Sequence, residues 1–156
     1  MIIRRAVNGD IGSVIDLLSQ VLEIHAKARP DIFVPGTTKY SEKELAGIFA
    51  NENTPVYVAE TEENGVVGYA FCVIMEQENK PFLAPCLTLY IDDLCVDSSM
   101  RGRHVGRALF DHAVAEAKRL GCHNVTLNVW EGNDPAKRFY ESMGMKPMST
   151  HMEFLL

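Results

Sequence analysis

The chain has 156 residues, 47% hydrophobic and 23% charged, which fits one globular domain over residues 1–156 and excludes a disordered or collagen-like chain. Against 15 Lys and Arg stand 21 Asp and Glu, and the resulting net charge of −6 argues against a general nucleic-acid-binding surface. No apolar run approaches the ~20 residues that span a bilayer, and Met1-Ile-Ile-Arg-Arg-Ala lacks the order of a secretion signal, so a cytoplasmic protein with no membrane partner is expected.

In chain order, residues 2–7 predict a short apolar-basic strand, and Asn8-Gly-Asp10 caps a helix. Ile11, Val14, Ile15, Leu18, Val21 and Leu22 form one helical stripe that runs to His25, and Pro30 ends any continuation. Residues 29–40 read as a long loop. Ser41 and Glu44 have the spacing of a capping box and open a second helix around Leu45, Ile48 and Phe49. Pro55–Glu60 and Val66–Met75 make a hairpin about Glu63-Asn64-Gly65, and a polar loop at 76–85 leads to a third long strand, Leu87–Val96. Val105, Leu109, Ala113 and Ala117 recur every four residues in a helix over Val105–Leu120 that Gly121 closes. Asn124–Trp130 predicts a strand and Pro135–Met143 a short helix with Pro in its first turn. Residues 146–154 predict a final strand. The order β-α-α-β-β-β-α-β-α-β predicts an α/β (α+β) fold with a mixed sheet flanked by helices.

Cys72, Cys86, Cys95 and Cys122 form no C-x-x-C pair and no Cys/His cluster, so buried free thiols are expected and no metal site. His112, His123 and His151 also lack metal spacing and read as surface residues. The charge is uneven. Arg101-Gly-Arg-His-Val-Gly-Arg107 carries three Arg and no acid at a strand-to-helix junction, where free backbone N–H groups and the helix dipole favour phosphate oxygens. It is neither a Walker loop nor G-x-G-x-x-G.

This segment resembles the pyrophosphate loop, Arg/Gln-x-x-Gly-x-Gly/Ala, of the GNAT superfamily of acyl-CoA-dependent N-acyltransferases. Arg101 fits its first position and Gly106 its last. A second block, from Asn128 through Asn133, Ala136, Phe139 and Tyr140 to Gly144, is similar to that superfamily's strand-Asn-x-x-Ala-x-x-Phe-Tyr-x-x-x-Gly-Phe signature. The resemblance implies a splayed mixed sheet with acetyl-CoA as co-substrate. It implies that the backbone of Leu94, Cys95 and Val96 pairs with the pantetheine arm, together with Asn133 and Ala136. It implies that Arg101, Gly102, Arg103, His104, Val105, Gly106 and Arg107 hold the pyrophosphate. His104 departs from the pattern's middle Gly. His tolerates positive φ better than most residues, and it either donates to phosphate or faces solvent. Tyr140 matches the tyrosine that protonates the departing CoA thiolate, a sensible transfer from a phenol of pKa ~10 to a thiol of pKa ~8.5; it also fits a core aromatic beside Phe139.

An acceptor amine arrives protonated and needs a base. Tyr90-Ile-Asp92-Asp93-Leu-Cys-Val96 places two acids in an apolar strand, where an unpaired carboxylate is costly. Strand alternation puts Asp92 and Asp93 on opposite faces unless a bulge intervenes. The resemblance aligns the base with Asp92; an exposed face residue and a partner for a buried Arg are the alternatives. His25, Asp31 and Phe33 fall in the region that shapes the acceptor pocket in the superfamily, although His25 also continues an apolar stripe. The expectation is direct acetyl transfer to a primary amine, a small cationic one being slightly favoured. The alternative is a non-catalytic CoA-binding or sensing module. The apolar Met-Glu-Phe-Leu-Leu156 segment, on a candidate edge strand, predicts a homodimer.

Overall fold

The computed structural model describes residues 1–78 and 80–156. Its elements are β1 (Ile2–Arg5), α1 (Ile11–Ala28), α2 (Glu42–Ala50), β2 (Val56–Thr61), β3 (Gly65–Glu76), β4 (Leu87–Val96), α3 (Val105–Arg119), β5 (Asn124–Leu127) and α4 (Asp134–Ser142). Short 3-10 turns at Asn8–Asp10 and Ser98–Met100 precede α1 and α3. The strands form one sheet in the order β1-β2-β3-β4-β5, antiparallel throughout except that β5 runs parallel to β4.

Both faces of the sheet are covered, which explains why β3 reads as a continuous apolar run rather than an alternation. On β2, Tyr57 and Ala59 point to the α3 side and Val56 and Val58 to the α1–α2 side, the period of two that a strand imposes. At Gly68, an added Cβ would stand 2.8 Å from the Cys95 carbonyl oxygen and 3.2 Å from Leu109, so the missing side chain is what lets α3 approach β3 and β4. The Ser41–Glu44 capping box forms as expected. Asp10, 7% exposed, accepts two hydrogen bonds from Arg4 at 2.7 and 2.9 Å and one from the Val7 amide at 2.9 Å, pinning β1 to the start of α1.

Two predicted strands need correction. β5 ends at Leu127, and residues 146–154 form no strand at all. A strand needs a hydrogen-bonded neighbour, and among the described residues none pairs with this segment. Met148, Met152, Phe154 and Leu155 are instead exposed, while Glu153 bonds Arg29 at 2.7 Å. All four cysteines are free. Cys72 and Cys95 are buried as expected, Cys86 and Cys122 only partly.

Candidate active site

The decisive local feature is a β-bulge. Phe71 pairs with Asp93 and Cys72 with Ile91, so Asp92 is an extra residue on β4. The bulge cancels the alternation expected of the two acids: Asp92 and Asp93 both line one cavity. Pairing of β4 with β5 ends at Ile91 and Leu127, immediately before the bulge. Beyond that point the strands part. A cavity of about 560 Å³ fills the gap, bounded by Asp92–Leu94 of β4, Leu127 at the end of β5 and residues 128–130 after it, Asn133 at the cap of α4, Ala136 and Tyr140 of α4, α1 near His25, and the loop carrying Phe33 and Lys39.

Asp93 accepts a hydrogen bond from the Tyr69 hydroxyl at 3.0 Å. Burial lifts its carboxyl above the usual range; the Lys39 charge, the Tyr69 bond and His25 pull the other way without cancelling the lift. Asp92 is bound differently. It accepts from Lys39 Nζ at 2.8 Å. Burial works against the Lys39 ammonium, but the bond to Asp92 and the charges of Asp93 and Asp92 hold its pKa above the ordinary value. Lys39 carries no sequence signal, since a lone lysine in a polar loop looks like any solvated residue.

The Tyr140 ring packs on Phe139 and Phe110, at centroid distances of 5.0 and 6.2 Å. Burial first, then the charge of Asp93, raises its pKa, so the group stays a phenol well above neutral pH. No side-chain polar atom is buried without a partner among the described residues, and Tyr140 is part of the cavity lining. Packing and a chemical role therefore coexist at this residue.

The cationic segment lies at the far end of β4. His104 sits at φ 62°, ψ 12° as the N-cap of α3, the one non-glycine residue at positive φ among the described residues. The left-handed turn that the pattern assigns to glycine is thus kept by histidine. Its carbonyl accepts from the Ala108 amide at 3.0 Å, which leaves the amides of Val105, Gly106 and Arg107 without helical acceptors. An added Cβ at Gly106 would touch both Val96 and Phe139 at 3.5 Å, so α3, β4 and α4 meet here. Arg101 Nε donates to the Val96 carbonyl at 3.4 Å, and Arg107 stands 3.6 Å from Asp111. Gly102 (φ 77°) and Arg103 complete an exposed turn. Gln20 of α1 donates to Asp97 at 2.9 Å and accepts from the Ser98 amide at 3.2 Å, tying the cavity's helix to this loop, a contact between residues 77 and 78 positions apart that no local pattern announces.

Other expected site residues divide. Leu94, Asn133 and Ala136 line the cavity, and the Asn133 side chain also caps α4 by accepting from the Ala136 amide at 3.4 Å. Cys95 and Val96 do not line it. The Cys95 side chain turns into the α1 side of the core, and burial pushes its thiol up to about 12. His25 and Phe33 are brought together, centroids 5.0 Å apart, and Phe33 meets Trp130 edge-on at 5.5 Å. Asp31 lies outside the cavity lining, bound to Arg29 at 2.6 Å, which holds its carboxyl below the usual range. Arg29 in turn covers the Trp130 ring at 5.7 Å. No group of three or more His, Cys, Asp or Glu suited to a metal occurs among the described residues, and none of their helices is long and apolar enough to cross a membrane.

The sequence profile of the acetyltransferase (GNAT) family matches residues 18–145. The chain belongs to this family. A glucosamine 6-phosphate N-acetyltransferase of Arabidopsis thaliana is 33% identical over 98 residues, 62% of this chain and 62% of that one. A peptidyl-lysine N-acetyltransferase of Salmonella typhimurium is 30% identical over 114 residues, 73% of this chain and 65% of the other. The GNAT chain thus spans less than two thirds of the length of these relatives. The solved structure of a Bacillus halodurans protein, a tetramutant, matches over 100% of both chains with a TM-score of 0.95 at 33% identity. The Arabidopsis glucosamine-6-phosphate N-acetyltransferase structure shares the GNAT fold, with a TM-score of 0.72 at 24% identity over 99% of this chain and 97% of its own.

Proposed function

We propose that this GNAT chain is an acetyl-CoA-dependent N-acetyltransferase that passes the acetyl group directly to a primary amine, with Asp93 as base and Tyr140 as acid. One observation carries the reading: the bulge at Asp92 brings a carboxylate and a phenol into one cavity where β4 leaves its neighbour, on the way to the free amides of α3. The residues fit the thioester co-substrate. Beyond Ile91, β4 has backbone groups no longer paired with β5, and residues 101–107 offer cationic side chains and free N–H groups to a pyrophosphate.

Asp93 takes the proton that an ammonium must lose before its nitrogen attacks the acetyl carbonyl, and its raised pKa brings the base closer to neutral pH, where general bases are most effective. As the C–N bond forms and the C–S bond breaks, the nitrogen loses its second proton to solvent and Tyr140 donates its own to the leaving thiolate; solvent then reprotonates Tyr140 and takes the proton held by Asp93. Asp92 is occupied by Lys39 and is assigned an electrostatic role. The acceptor we favour is a small cationic amine, consistent with the carboxylates and aromatic walls of the cavity. Both relatives named above are described as acting on primary amines of very different size, a sugar phosphate and a peptidyl lysine, so the acceptor is read from this cavity rather than from them.

A free-thiol assay with acetyl-CoA and a panel of primary amines tests the reading. Thiol release coupled to amine acetylation supports it; CoA binding with no release on any amine supports a sensing module instead. We also propose that two copies associate through the exposed apolar segment at Met148–Leu155. Light scattering at the dimer mass would support that pairing, and the monomer mass at micromolar concentration would refute it.

A further inference from the structure

Lys39 reaches from the loop between α1 and α2 into the cavity and sets its ammonium on Asp92, 2.8 Å from Oδ2, with the Tyr40 ring 5.2 Å away. The two side chains are 39% and 34% exposed. Ion pairs this open to water are worth little and can be exchanged for an equivalent pair. The cavity therefore holds two adjacent carboxylates, one built-in cation, and walls such as Phe33, Leu127 and Trp130 that are apolar or aromatic. Asp93, whose oxygen is bonded by a neutral tyrosine rather than by a cation, is the carboxylate left for an incoming ammonium.

We propose that Lys39 is a specificity-determining residue that restricts the acceptor site to a single ammonium. With Asp92 matched by the chain's own lysine, a monoamine with an apolar body satisfies the cavity, and the second charge of a diamine finds no partner there. A diamine gains only if Lys39 is removed and Asp92 becomes available to its far end. The inference rests on the proposed acetyltransferase reading for the position of the acceptor.

The test uses pentylamine and 1,5-diaminopentane, which have the same chain length and differ by one charge. Dissociation constants for both are measured by NMR shift perturbation on the CoA-loaded parent, Lys39→Met and Lys39→Arg, with thiol release from acetyl-CoA followed in parallel. Parent and Lys39→Arg should bind pentylamine at least as well as the diamine. Lys39→Met, which keeps most of the length of the side chain without its charge, should improve the diamine relative to pentylamine by about three- to fivefold, as expected for one partly exposed charge contact. A ratio in Lys39→Met within about twofold of the parent overturns the proposal, as does failure of both amines to bind any of the proteins. If Lys39→Met does not fold, Lys39→Gln carries the same readout. Binding in the expected order without acetylation would sink the acetyltransferase reading and leave the role of Lys39; acetylation without the change in order would do the reverse.

Discussion

Tyr69→Phe isolates the proposed base, because it removes one oxygen and leaves the ring where it is. Tyr69 is fully buried and its ring stands edge-on to Phe71, at 5.0 Å and 89°, a packing that phenylalanine reproduces. What is lost is the 3.0 Å hydrogen bond to Asp93. A bond to a charged group is worth about 1.5–3 kcal/mol and one to a neutral group about 1, so the carboxylate loses roughly 0.5–2 kcal/mol more than the acid does. At 1.36 kcal/mol per pH unit, the Asp93 pKa should rise by about one unit. The acid limb of the kcat/KM profile should move to higher pH by that amount, while the alkaline limb and the plateau stay close to the parent. Stability gives a second reading with its own sign. The Asp93 pKa is raised in the folded state, so its favourable contribution is complete below the unfolded carboxyl value of ~3.9 and is lost as pH rises through the folded value. Tyr69→Phe deepens that loss, and urea melts should show the variant about 1.5–3 kcal/mol weaker at pH 8, a deficit that narrows to about 1 kcal/mol at pH 4. An unmoved acid limb would remove Asp93 as the base, and if the limb responds to Asp92→Asn instead, the base is the bulged residue.

Tyr140→Phe should lower turnover by about 10²–10⁴-fold with CoA affinity almost intact, since the ring contacts to Phe139 and Phe110 remain; a rate within about threefold of the parent would leave Tyr140 a packing residue only. His104→Gly keeps the positive φ that the turn requires, so melting should shift little, whereas loss of an exposed donor beside the pyrophosphate should weaken CoA binding about tenfold in calorimetry; an unchanged dissociation constant would show that the histidine only holds the backbone. Asp10→Asn should cost about 2–4 kcal/mol at pH 7, because Arg4 loses its bidentate partner. The Asp10 pKa is lowered on folding, so that deficit should be present above ~4 and fade as urea melts are repeated toward pH 2; a deficit independent of pH would deny the ion pair its role.

Local signals carried most of the fold. The capping box at Ser41, the turn at Glu63-Asn64-Gly65 and the four-residue repeat from Val105 to Ala117 each act over a few positions, and each forms the element it predicts. Both acids, Tyr140 and the 101–107 turn were also visible, since charges in an apolar strand and three arginines at a helix start are conspicuous in an acidic chain. What failed was non-local. Residues 146–154 alternate plausibly, but a strand exists only by pairing, and the sequence does not state its partner. Lys39 reaches an acid 53 positions away, and nothing beside it in the chain marks that reach. Asp31 lies in the loop that borders the cavity, but Arg29, two residues earlier, bonds it and it is not part of the lining.

The bulge at Asp92 links fold and chemistry more tightly than either motif does. In an unbroken strand, one of the two acids would face the opposite core and require a partner there, and β4 could stay in register with β5. One extra residue moves both acids to the same side and coincides with the end of β4–β5 pairing, so that the cleft, the unpaired β4 edge and the proposed base arise together. It follows that the acids are not equivalent despite their adjacency. Asp92, on the bulge, is exposed and meets a flexible lysine; Asp93, back in register opposite Phe71, is held by a buried tyrosine. A difference set by register is one that side-chain substitution alone should not erase. In Lys39→Met, Asp92 gains freedom without gaining the burial and the Tyr69 bond of Asp93, while Asp93 loses the Lys39 charge, the strongest of the influences that lower its pKa, so the acid limb assigned to Asp93 should move to higher pH by at least the shift that Tyr69→Phe produces. An acid limb that moves in Tyr69→Phe but stays put in Lys39→Met would mean that the Lys39 charge does not reach the titrating group, and that the division of roles between the two carboxylates is wrong.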